Sequence, residues 1–172
     1  MNKIAYIFIL VFLSIFFQVL IGSAGLMFPA TALIIFYLTI ITDWQTGTIT
    51  GAAAGSIVDI LCVKTMILSP ALLIITALIA ILWLNKGDLK NLSLQIIPAA
   101  FISALCIFSD CFVACQTHEH GFYLLLIKLL LAILSLFLSC IIFPPFIMLM
   151  DKINATLNLN LYTKAQERIE KG

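Results

Sequence analysis

The sequence predicts an all-α integral membrane protein with six transmembrane helices and both termini in the cytoplasm. Three observations lead there. First, the 172-residue chain is 63% hydrophobic and 10% charged, with a mean hydropathy of +1.21. A soluble domain carries about 25% charged residues. Second, the apolar residues fall into six runs with short polar connectors, and about 20 apolar residues cross a bilayer as a helix. Third, the basic residues are distributed unequally. With the N-terminus inside, Lys3, Lys86, Lys90, Lys152, Lys164, Arg168 and Lys171 fall on the cytoplasmic side, against Lys64 and Lys128 on the other. That asymmetry satisfies the positive-inside rule.

The first span is expected over Ile4–Ile21. Lys3, this apolar run and the small residues Gly22-Ser-Ala24 also resemble a signal peptide cleaved after Ala24. The run is longer than a usual signal core, which favours an uncleaved span. The second span, Phe28–Thr42, is short and has Pro29 placed for a first helical turn. The third runs over Gly47–Val63 and the fourth over Ser69–Leu84, with Pro70 at its start. The fifth covers Leu92–Ala114 and the sixth Phe122–Leu149. Pro144 and Pro145 should kink or end the sixth near Phe143, because proline lacks an N–H and its ring clashes with the preceding turn. Short connectors make neighbouring helices antiparallel and leave no room for a soluble domain. Residues 1–150 thus form one transmembrane domain. Residues 151–172 form a polar cytoplasmic tail, expected as a short surface helix or a frayed end.

The most informative segment is Gly47-Thr-Ile-Thr-Gly51-Ala-Ala-Ala-Gly55-Ser-Ile-Val-Asp59. Residues four apart lie nearly above one another on a helix, so Gly47, Gly51, Gly55 and Asp59 form one stripe. Glycine costs roughly 1 kcal/mol relative to alanine in an aqueous helix. In a membrane the same residue lets two helix backbones approach closely. The stripe is therefore a packing face, either for the chain's own helices or for a partner's transmembrane helix. A carboxylate at its end is costly in lipid and should face protein or water.

Asp59, Asp110 and Lys128 are expected at similar depth toward the outer face, forming an intramembrane charge cluster. Ser103, Cys106 and Asp110 share a face of span five, and Lys128, Ala132, Ser135 and Ser139 share a face of span six. An Asp110–Lys128 ion pair would offset part of the roughly 2.5–3.5 kcal/mol that insertion of a charge costs. Alternatively, Lys128 snorkels alone to the interface. On span one, Ser14 and Gln18 share a face suited to hydrogen bonding another helix.

Other chemistry finds little footing. A net charge of +1, without a cluster of basic residues, indicates no nucleic-acid partner. The five cysteines, Cys62, Cys106, Cys111, Cys115 and Cys140, sit in or beside apolar runs and do not read as a disulfide framework. Cys111, Cys115, His118 and His120 carry metal-ligating chemistry, but their spacing fits no common zinc motif, so no metal is expected. No Ser/His/Asp arrangement, phosphate-binding loop or dinucleotide fingerprint is present, and no cofactor is expected.

The chain resembles the MreD family of bacterial rod shape-determining membrane proteins. The resemblance lies in Phe28-Pro29 opening span two, Gly47, Gly51, Gly55 and Val58-Asp59 in span three, and the small-residue span from Ser69-Pro70. It also includes Phe143-Pro-Pro-Phe-Ile-Met-Leu-Met followed by Asp151-Lys152. Length, span number and orientation agree. The segment Cys62–Ser69 lacks a glycine that family members often carry after the aspartate. The resemblance implies a non-enzymatic, multi-pass protein of the bacterial inner membrane that binds an MreC-like membrane protein. Through it the chain would belong to a cell-elongation complex with MreB, RodZ, the glycosyltransferase RodA and a class B penicillin-binding protein. Gly47, Gly51, Gly55 and Asp59 carry over as its packing or partner stripe. The alternative is the substrate-binding component of an energy-coupling-factor vitamin transporter, which has similar size and span number.

The ion pair has a direct check. Exchanging the charges, Asp110→Lys with Lys128→Asp, is expected to restore the membrane-inserted level that either single substitution lowers, as read by quantitative blotting. A double variant no better than the singles rules the pair out.

Overall fold

The computed structural model describes residues 3–23, 25–26, 28–62, 67–86, 92–116 and 122–157. Among them are six α-helices and no strand: α1 (Lys3–Ser23), α2 (Ala30–Ile41), α3 (Trp44–Leu61), α4 (Ser69–Lys86), α5 (Ile96–Gln116) and α6 (Phe122–Thr156). A single 3-10 turn, Leu92–Gln95, leads into α5. Two helical segments, Lys3–Ser23 and Leu129–Thr156, are long and apolar enough to cross a membrane.

α2 is the pillar of the bundle. All 12 of its residues are buried, and α1, α3, α4 and α5 pack around it. At 1.5 Å per residue it is only about 18 Å long, shorter than the roughly 30 Å hydrocarbon thickness. Its flanks touch protein on every side. Two buried hydroxyls at its C-terminal end are satisfied locally. Thr39 Oγ1 donates to the Ile35 carbonyl at 2.7 Å, and Thr42 Oγ1 donates to the Leu38 carbonyl at 2.6 Å. This back-bonding lets a polar side chain sit in an apolar core.

α1 ends in a left-handed turn. Gly25 has φ +83°, its N–H donates to the Gly22 carbonyl, and the Leu26 N–H donates to the Ile21 carbonyl. This is the Schellman pattern, which satisfies the last carbonyls of a helix and favours glycine at its turning point. Beyond the turn, Phe28 packs edge-on to Phe17 at 6.3 Å.

The prolines of α6 neither end it nor mark the end of the domain. The helix runs through Pro144 and Pro145 to Thr156, so residues 151–156 belong to the bundle rather than to a tail. Packing explains the difference from the sequence expectation. One buried stripe continues through the prolines: Ala132, Ser135, Ser139, Phe143, Ile147, Met150 and Asn154. Phe143 meets Phe36 at 5.7 Å, and Phe146 meets Tyr37 at 6.0 Å. Contacts of about 0.5–1.5 kcal/mol per aromatic pair, added to burial, offset the lost backbone bonds. Membrane helices tolerate prolines where neighbours shelter the backbone.

The outward surface is markedly apolar. Exposed side chains include Ile4, Phe8, Phe12 and Phe16 on α1, Ile49 and Ile60 on α3, Phe108 on α5, and Phe137 and Ile141 on α6. Monomeric soluble proteins rarely expose contiguous apolar patches beyond a few hundred Å².

Glycine contacts separate tight from open positions. A methyl group built on Gly55 would lie 2.5 Å from the Pro70 nitrogen and 2.6 Å from its Cα, whereas one on Gly22 meets nothing within 4 Å. Gly55→Ala is expected to destabilise by about 1–3 kcal/mol through overpacking, and Gly22→Ala to stay within about 0.5 kcal/mol. Thermal unfolding of the purified protein in one detergent checks both, and equal losses would refute the packing assignment.

Candidate functional site

The glycine stripe and its aspartate form the tightest joint in the molecule. α3 and α4 make its most extensive helix pair. Gly47 lies against the Thr39 side chain of α2. A methyl on Gly51 would stand 3.3 Å from the Leu73 carbonyl oxygen of α4 and 3.4 Å from Ile35 Cγ2 of α2. Gly55 abuts the backbone of Ser69 and Pro70. α3 therefore wedges between α2 and α4; at Gly47 and Gly55 a side chain would fill space already held by a neighbour, and at Gly51 it would be a tight fit. Its opposite face, with Ala53, Ile57 and Ile60, is exposed.

Asp59 completes this joint. It is 4% exposed, and its Oδ2 accepts the Ser69 N–H at 3.0 Å. Ser69 opens α4, where the first four N–H groups of a helix lack intrahelical partners. The carboxylate thus caps a neighbouring helix and faces the positive end of its dipole, an arrangement worth about 0.3–1 kcal/mol when exposed and up to about 2 kcal/mol when partly buried. Its Oδ1 has no hydrogen-bond partner among the described residues. Pro70, which lacks an N–H, follows at a position where none is needed.

These contacts revise one expectation. Gly47, Gly51 and Gly55 face α2 and α4 of the same chain, so a partner's helix cannot reach that ridge while the bundle is packed. The rest of the expected charge cluster is not described: Asp110 and Lys128 fall on α5 and α6, but their side chains lie outside the described residues. So do those of Cys111 and Cys115, and His118 and His120 lie outside them altogether.

Polar contacts tie the outer helices to α2. Gln18 of α1, expected to bond another helix, accepts the Thr31 N–H of α2 at 2.8 Å through Oε1, while Ser14 donates to the Val11 carbonyl of its own helix. At the opposite end, Asn154 Nδ2 donates to Tyr37 Oη at 2.8 Å, and Tyr6 Oη lies 3.8 Å from Met150 Sδ. Sequence reasoning missed this second cluster because Asn154 stands beyond the two prolines. Its signal was a polar residue in register with Phe143, Ile147 and Met150. Gln95 was also missed. It is fully buried before α5, and neither of its side-chain polar atoms has a partner among the described residues.

Near the α1–α2 turn the bundle forms a half-open cavity of about 840 Å³. Gln18, Gly22, Thr31, Ala32, Ser69, Leu72 and Cys106 are among the residues lining it. The described lining contains no charged side chain.

Comparisons with protein-family models, curated proteins and solved structures gave no match.

Asp59 can be tested by separating its charge from its acceptor. Asp59→Asn keeps an oxygen for the Ser69 N–H and is expected to lose about 0.3–2 kcal/mol, the helix-dipole share. Asp59→Leu removes that acceptor altogether and should lose roughly a further 0.5–1.5 kcal/mol, the net worth of the hydrogen bond. Thermal unfolding gives both values, and a leucine variant as stable as the asparagine variant would remove the capping role.

Proposed function

We propose that the chain is a six-span protein of the bacterial inner membrane and acts as a non-enzymatic scaffold in cell elongation. In this reading it binds an MreC-like membrane protein and, through it, the assembly containing MreB, RodZ, RodA and a class B penicillin-binding protein. The observation that carries the reading is the joint around α3. Residues that carry the resemblance to the MreD family, Gly47, Gly51, Gly55, Asp59 and the Ser69-Pro70 pair, meet along one face of α3, with Gly47 against α2 and Gly55 and Asp59 against the start of α4. The apolar outer faces of α1, α3, α5 and α6 suit a lipid surround, and they suit recognition of a partner by helix packing.

Because α2 and α4 cover the glycine ridge, partner contact falls to an outer face. α1 offers Phe8, Phe12 and Phe16 at four-residue spacing, all exposed. The transport alternative asks for a pocket rich in hydrogen-bonding side chains to select a water-soluble vitamin. The predominantly apolar character of the cavity's described residues favours the scaffold reading over it.

Depleting the protein from a rod-shaped host is expected to turn cells round, and the tagged chain should co-purify with an MreC-like protein. A photo-crosslinker at Phe12 should capture that partner while one at buried Ala54 does not. Unchanged cell shape together with loss of vitamin uptake would overturn the scaffold reading.

A further inference from the structure

The cavity lies where two helices part. α1 and α6 meet at one end, where Tyr6 Oη approaches Met150 Sδ at 3.8 Å. About 18 Å further along α1, at 1.5 Å per residue, Gln18 and Gly22 line the cavity, and Ile127 and Leu131 of α6 line it too. There α1 packs on α2 and α3, while α6 packs on α5. The space between them is a wedge walled also by the α1–α2 turn, α2, α3 and α4. Its volume of about 840 Å³ falls within the roughly 300–1,000 Å³ of small-molecule sites. Ordered water is held only where each molecule finds about 2–4 polar partners. A mainly apolar wedge this large calls for an apolar occupant.

The polar groups are few and oriented. Gln18 Oε1 is fixed by the Thr31 N–H at 2.8 Å. Only an oxygen accepts that bond, so the amide orientation is set and Nε2 is the donor that remains. Thr31, also in the lining, has a buried hydroxyl without a partner among the described residues. Both can donate to an oxygen acceptor.

We propose that this wedge binds a lipid-like molecule. Its long apolar chain lies against Ile127 and Leu131, and its hydroxyl or carbonyl oxygen accepts a hydrogen bond from Gln18. The inference rests on the membrane reading above and is independent of the elongation role.

The test uses the full chain in native membranes and a long-chain alcohol carrying a diazirine and an alkyne. After irradiation, labelled peptides are mapped by mass spectrometry. Label is expected on the segments holding Gln18–Gly22 or Ile127–Leu131, and unlabelled alcohol should compete for it. Gly22→Trp places its side chain in open space and should reduce that label at least about tenfold, the effect of losing roughly 1.4 kcal/mol of binding. Gln18→Leu should reduce labelling by the alcohol about three- to tenfold and leave labelling by the headless hydrocarbon analogue unchanged. Label spread evenly along the outer faces, or unaffected by both substitutions, overturns the site. If Gly22→Trp unfolds, Gln18→Leu alone decides. Release of the protein by alkaline carbonate would instead overturn the membrane reading itself.

Discussion

Close approach of α3 to α4 is the constraint on which the rest of the structure depends. It needs bare backbone at Gly55, because Ser69 and Pro70 stand where a side chain would be. It also needs an acceptor at the end of the same face, because the first N–H of α4 points there. Asp59 supplies that acceptor one helical turn after Gly55. Steric permission and polar satisfaction thus come from the same four-residue repeat. Moving either residue off the stripe would separate α4 from α3, and α2, which both helices cover, would lose part of its shelter.

α2 shows why that shelter matters. It is short, and every residue in it is buried. Its stability derives from its neighbours rather than from intrinsic helix propensity, as is usual for helices in proteins. Phe36 and Tyr37 reach α6 through aromatic contacts, and Asn154 closes the far end with a hydrogen bond to Tyr37. α6 in turn continues through two prolines because its buried stripe has these partners on both sides of the break.

Much of the fold could be read from residue patterns. Apolar runs gave the six helices to within a few residues, and Pro29 and Pro70 marked where α2 and α4 begin. The glycine repeat named the close-packed face, and Gln18 was legible as an interhelical bond. The end of α6 was misread, because proline chemistry at Pro144 and Pro145 is local while the forces that keep the helix going come from Phe36 and Tyr37, over a hundred residues away in sequence. The Asn154–Tyr37 bond and the cavity were invisible for the same reason: neither leaves a periodic trace.

Sequence by itself determined the helical class, the helix order and the identity of the face that needed glycine. These follow from the spacing of residue types along one chain, since a helix repeats every 3.6 residues. Which helices fill that face was decided only by tertiary structure. Gly55 permits any backbone to come near; Ser69 and Pro70 arrive first because a short connector folds α4 back beside α3. The divergence of α1 from α6 was likewise set in three dimensions, by what each packs against rather than by any residue in either helix.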